Sequence, residues 1–282
     1  MKKFKNWAVP GPLIPESWRI ELDPQEAQEV SCDALSGHFK ILQLKQGHRY
    51  STDDLLVAWY GTSLCPSAHR VLDLGSGIGS VGMIAAWRLP GAQFVTIEAQ
   101  KISVDLARRS AALNGLSSRY EIRQSDFRDL QALSPEESFD LILGSPPYFP
   151  LDAGILSDHE QKIACRFEAR GNIDDYCQVA SRHLAPGGVF SCVFPIEPIR
   201  QEDRVLKAAL GSHLTVVKRR NVILKEGEKP LLGLFCMIRS DHLPESVRHQ
   251  TWKEPDLVIR TRSGAIHPEY STIKHSIGFP MP

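Results

Sequence analysis

From position 70 onward the apolar residues come in short unbroken runs that alternate with longer stretches of helical period. VLDL (71–74) precedes VGMIAAWRL (81–89), FVTIE (94–98) precedes KISVDLARRSAALNG (101–115), and YEIRQ and FDLILG follow. Strands without polar alternation are buried on both faces, and strands alternating with helices build βαβ units around a parallel sheet. The pattern therefore predicts an α/β protein with a doubly wound, mostly parallel sheet. Downstream it predicts a helix over 174–184 ending at Pro186-Gly187-Gly188, a strand VFSCVF and a helix over 198–210. Two further strands, 214–223 and 231–239, are joined by the turn KEGEKP.

Ahead of this core the pattern changes. GHFKILQLKQGHRY (37–50) alternates apolar and polar positions, which predicts a short hairpin or edge strand. Leu55, Leu56, Ala58 and Trp59 then form the apolar stripe of a helix capped by Ser51 or Thr52, with Asp53 and Asp54 complementing its dipole. Residues 1–36 hold Pro10, Pro12, Pro15 and Pro24 and little periodicity, and read as an extended arm or irregular cap outside a domain at 37–282.

Composition narrows the function classes. A chain of 282 residues, 42% hydrophobic and 23% charged, has the balance of a compact globular protein. The basic start MKKFK meets prolines before any apolar stretch, and no window approaches the 18 apolar residues of a membrane span, so a cytoplasmic location away from membranes is expected. Six cysteines are scattered with no CxxC pair and no HExxH, so reduced thiols and no metal are expected. Lysine plus arginine equals aspartate plus glutamate at 33 each, so any polyanion must be met locally. Residues 199–282 form the basic end, with 14 cationic and 9 anionic side chains against 19 and 24 in residues 1–198. Lys218, Arg219 and Arg220, near Lys225, make its densest cluster, and Arg260 and Arg262 a second.

The first strand runs straight into Gly75-Ser76-Gly77-Ile78-Gly79. Glycines here let the backbone bend sharply and approach a nucleotide. Asp73 precedes the loop; Glu98, ending the next strand, is spaced to accept hydrogen bonds from ribose hydroxyls. Asp126, after the third strand, stands where an adenine amino group would be held, with Phe127 beside the ring. A dinucleotide and S-adenosylmethionine both suit these parts. The spacing GxGxG fits S-adenosylmethionine better than the GxGxxG of dinucleotide folds.

Ser145-Pro146-Pro147-Tyr148-Phe149 follows the fourth strand, at the carboxyl edge where doubly wound folds bind ligands. Prolines fix the backbone rigidly, and the Tyr148 ring offers a flat face to a base. With DLGSGIG, Glu98 and SDF at 125–127, this motif resembles the class I S-adenosylmethionine-dependent N-methyltransferases, whose tetrapeptide is Asn/Asp/Ser-Pro-Pro-aromatic. Four further stretches are similar to the bacterial tRNA(Val)-type adenine-N6 methyltransferases: RYSTDDLLVAW (49–59), ACRFEARGNIDDYCQVASRHLAPGGVF (164–190), EKPLLGLFCMIR (228–239) and GAIHPEYSTI (264–273).

The resemblance implies a seven-stranded methyltransferase fold and N6 methylation of an adenine in RNA, in the anticodon loop of a tRNA, with S-adenosyl-L-homocysteine as product. Ser145, Pro146, Pro147 and Tyr148 would carry the chemistry. Thr52, Asp53, Asp73, Gly75, Ser76, Gly77, Gly79, Glu98, Ala99, Asp126, Phe127 and Ser145 would hold the cofactor. Tyr148, Phe149, Arg166 and Arg170 would meet the target base and its phosphates, and Lys218, Arg219 and Arg220, with Arg260 and Arg262, the tRNA backbone. A monomer is expected. Glutamine-N5 methylation of a protein, guanine-N2 methylation of ribosomal RNA, and a S-adenosylmethionine-binding protein without turnover are the alternatives. No histidine adjoins either motif in sequence, so no general base is indicated; His159 reads as a loop residue.

Overall fold

The computed structural model describes Leu22, residues 25–150, Gln161, Ile163, Cys165, and residues 167–196 and 200–280. A short helix α1 (Glu26–Glu29) leads into a hairpin of β1 (Val30–Ser36) and β2 (Phe39–Leu44), followed by α2 (Thr52–Leu64). The βαβ core comprises β3 (Arg70–Leu74), α3 (Ser80–Arg88), β4 (Gln93–Glu98), α4 (Lys101–Leu113), β5 (Tyr120–Gln124) and β6 (Phe139–Gly144). After it come α5 (Ile173–His183), β7 (Leu184–Pro195), α6 (Arg200–Gly211), β8 (Leu214–Lys225) and β9 (Leu232–Arg239). The chain continues through β10 (Trp252–Lys253), β11 (Leu257–Arg260) and α7 (Pro268–Ser276).

The large sheet runs β10-β8-β9-β7-β6-β3-β4-β5, with β11 also pairing β8. β9 is antiparallel to both its neighbours and every other pairing in this sheet is parallel. Among the described residues nine strands stand in this sheet where seven are expected, because β10 and β11 add two short parallel pieces to the β8 edge. The hairpin also starts earlier than its alternation indicates: β1 begins at Val30, inside the segment read as irregular. A third difference lies at Leu184, where β7 leaves α5 directly and takes in Ala185 to Gly188.

Side chains on successive strand positions enter two separate cores. In β6, Leu141 and Leu143 join the hairpin, α2, α3, α4 and α7 on one face, whereas Phe139 and Ile142 join α5 and α6 on the other. Each such buried side chain contributes roughly 1.5–3 kcal/mol, so the sheet is held rigidly from both sides. That rigidity fixes the carboxyl ends of β3, β4, β5 and β6, where the site lies.

Candidate active site

A cavity of about 390 Å³ opens at these carboxyl ends, within the usual size range of small-ligand sites. The glycine loop forms one wall. Gly75 and Gly77 have φ of +60° and +55°, conformations that side chains disfavour. A Cβ on Gly75 would lie 2.1 Å from the Tyr176 hydroxyl, whereas one on Gly77 would meet nothing within 4 Å. Gly77 therefore presents bare backbone to open space where a ligand can approach.

Buried carboxylates line the same wall. Glu98 accepts hydrogen bonds from the Gly77 N–H (2.9 Å) and the Gln100 N–H (2.6 Å). Asp73 accepts from the Gly82 N–H at 2.9 Å, pinning the first turn of α3. Asp54 accepts from the Ser51 N–H (3.1 Å) and the Ser80 hydroxyl (3.0 Å), completing a capping box in which the Ser51 side chain accepts from Asp53. Burial raises all three acids above their ordinary values, Asp54 to about 6. Asp126 behaves oppositely. The Arg128 guanidinium grips it at 2.6 and 2.9 Å and holds its carboxyl low, and the residue lines the cavity.

The segment that follows β6 contributes neutral and aromatic surface. Ser145, Pro146, Pro147, Tyr148 and Phe149 all line the cavity. The Tyr148 hydroxyl donates to Asp53 at 2.7 Å, and its ring meets Phe194 edge-on, so the residue is clamped at both ends. Phe149, 40% exposed, presents the open aromatic surface at this rim. It is tied to the next segment by the Glu168 N–H donating to its carbonyl at 2.9 Å. That tie carries Arg170 into the lining.

Fifteen of the residues singled out in the sequence thus share one cavity: Asp53, Asp73, Gly75, Ser76, Gly77, Glu98, Ala99, Asp126, Phe127, the five of SPPYF, and Arg170. Thr52 does not; it is the first residue of α2 and its hydroxyl bonds Tyr270. Gly79 is the left-handed N-cap of α3, behind the loop. Arg166 and His159 lie outside the described residues. Lys218, Arg219 and Arg220 stand away from the cavity, and β8 carries them into intramolecular contacts. Lys218 pairs Glu254 at 2.9 Å, Arg219 bonds Asn221 at 2.7 Å, and Arg220 bonds the Pro255 carbonyl and Glu269. Arg219 and Arg220 are buried, so none of the three forms an open patch with the others.

The cavity also gathers residues that the sequence reading passed over as ligands: His48, Asp54, Ser80, Gln100, Cys165 and Tyr176 among them. Tyr176 lies in the family-like stretch 164–190, and α5 brings it under the glycine loop from a hundred residues away. Five carboxylates face Arg170 and His48, an acidic balance suited to a cation. Bare glycine backbone, Glu98 beside it and an aromatic Phe127 fit S-adenosylmethionine, a nucleoside with a sulfonium and an ammonium group. Among the described residues no group of three or more His, Cys, Asp and Glu side chains is placed to hold a metal. No helix among them is long and apolar enough to cross a membrane.

Comparison with known proteins accords with this geometry. A family described as a methyltransferase domain matches residues 66–232. The tRNA1(Val) (adenine(37)-N6)-methyltransferase of Bacteroides thetaiotaomicron is 31% identical over 225 residues, covering 77% of this chain and 90% of the relative. Its namesake from Pasteurella multocida is 27% identical, covering 79% and 86%. The crystal structure of a predicted O-methyltransferase from Agrobacterium tumefaciens shares the fold, with TM-score 0.60 at 20% identity over 81% of this chain and 98% of that one. The matched segment spans the glycine loop, Glu98 and SPPYF, and the chain belongs to the methyltransferase-domain family and, within it, to the tRNA1(Val) (adenine(37)-N6)-methyltransferases.

Proposed function

We propose that this chain methylates the exocyclic N6 of an adenine in RNA, in the anticodon loop of a tRNA, using S-adenosylmethionine. One observation carries the reading: SPPYF and the glycine loop with Glu98 line a single cavity, leaving the neighbouring strand ends at Gly144 and Leu74. A loop base suits such a site because it can be splayed out without breaking a helix.

Bound S-adenosylmethionine would supply an electrophilic methyl group: its bond to sulfur would break as the bond to nitrogen forms, leaving neutral S-adenosylhomocysteine, and the nitrogen would then release one of its protons to solvent. Gly75 to Gly77, Glu98 and Asp126 hold the nucleoside, and the buried carboxylates favour its positive charge. An adenine amino group is a poor nucleophile because its lone pair is delocalised into the ring. The Ser145 hydroxyl and the Pro146 carbonyl accept hydrogen bonds from its two protons and turn the nitrogen toward the methyl group. Phe149 and Tyr148 confine the ring, and Arg170 meets a neighbouring phosphate. Alignment supplies most of the acceleration, and no base need act before the nitrogen attacks.

The test is methyl transfer from labelled S-adenosylmethionine to unmodified bulk tRNA, with the product digested to nucleosides. N6-methyladenosine is the expected product. Label in protein glutamine instead, or cofactor binding with no transfer at all, overturns the reading.

A further inference from the structure

The register of the sheet places a second cationic group beyond the carboxyl ends of the strands, on the side where the cavity opens. Gly144 is level with Cys192, Cys192 with Phe235, and Phe235 with Arg219. β8 runs parallel to β6, and β9 accompanies it only as far as Val222. Beyond that point β8 continues to Lys225 paired with β11, Arg260 standing opposite Lys225. At about 3.3 Å per residue, this two-stranded ribbon projects roughly 20 Å past the level of Gly144, on the side of the sheet where the cavity opens.

The ribbon is braced and its tip is open. The Glu226 N–H donates to the Arg260 carbonyl (2.9 Å), and Arg260 Nη1 donates to the Gly264 carbonyl (2.9 Å). Below, α7 packs between β11 and α2, with Tyr270 bonded to Thr52 at the edge of the site. Lys225, Lys229, Arg260 and Arg262 are all exposed, the Arg262 side chain at 79%. Glu226 and Glu228 share the tip, and Glu226 approaches Arg262 at 3.8 Å, so the cations retain a majority of four to two.

We propose that this ribbon tip binds the phosphate backbone of the RNA whose base enters the cavity. The inference rests on the RNA reading above and assigns it a surface. A polynucleotide carries a charge at every residue, so a base held in the cavity leaves phosphates trailing over the rim. A peptide offers no such regular charge to a projection set this far from the site.

The test uses the full chain with bulk tRNA. For the Lys225→Ala/Lys229→Ala/Arg262→Ala variant, the dissociation constant for tRNA is expected to rise about tenfold near 0.15 M salt. The slope of log affinity against log salt is expected to fall by about two. A Lys225→Arg/Lys229→Arg/Arg262→Lys variant keeps the charge and should stay within twofold of the parent. A folded alanine variant with parental tRNA affinity and salt slope overturns the proposal. A parent protein that binds tRNA through the ribbon yet transfers no methyl group overturns the reaction and leaves the ribbon standing. A parent that binds no tRNA overturns both.

Discussion

The two walls of the cavity are built on opposite electrostatic principles. On the glycine-loop side, Asp54, Asp73 and Glu98 are buried carboxylates held by N–H and hydroxyl donors, with no guanidinium among the described residues bonded to them. On the SPPYF side the lining is proline, hydroxyl and aromatic ring. Asp53 belongs to the first group by position and to the second by partner, since its carboxylate holds the Tyr148 hydroxyl. A buried carboxylate with only neutral donors is costly alone and becomes favourable when a cation arrives. The contrast indicates a site with one end for a charged donor and the other for a flat, neutral acceptor.

Three experiments break or sharpen that contrast. The largest effect is expected from Glu98→Ala, which frees two N–H groups and removes a carboxylate from the donor wall. S-adenosylmethionine affinity should fall about 100-fold, on the order of 3 kcal/mol for a charge-assisted site, while circular dichroism stays native. Calorimetry with parental affinity would remove Glu98 from the donor wall. Next comes Ser145→Ala on the neutral wall, for which turnover should drop about tenfold or more while cofactor affinity stays within twofold. Full turnover would show that the Pro146 carbonyl suffices.

The smallest effect is expected from pH. Asp54 is raised by burial to about 6, so the empty protein favours its protonated form, and that stabilisation is lost as pH rises from the ordinary carboxylate range through 6. A bound cation prefers the ionised form. Cofactor affinity should therefore climb a few-fold between pH 5 and 7, and Asp54→Asn should flatten the climb. An unchanged profile in the variant would place the titration elsewhere.

Much of this molecule was legible in the chain because strands buried on both faces leave an unmistakable apolar record. VLDL, FVTIE and FDLILG are such strands, and each leads into a lining segment. What escaped depended on distant partners. Trp252–Lys253 is a strand of two residues that exists only because Lys218 and Arg219 lie beside it. VSCDALS lacks a clear alternation, and becomes β1 because Phe39–Leu44 pairs with it. The Lys218–Arg220 run looks like an open patch until Glu254, Pro255 and Glu269 return from later in the chain to enclose it. Tyr176 and Cys165 lie in the family-like stretch 164–190, but only folding shows that they line the cavity.

Tyr176 bears on more than local packing. Its ring meets Phe127 at 4.6 Å, its hydroxyl fills the place a Gly75 side chain would take, and its edge would lie 2.7 Å from a Cβ on Gly144, the residue before Ser145. One side chain thus serves as the common datum from which both walls are set. In machining terms the two jaws of the vise are referenced to a single face, so errors in one are not added to errors in the other. A methyl transfer that loses about 100-fold for a misplacement of roughly 1 Å has its tolerance set by the fit of this one ring.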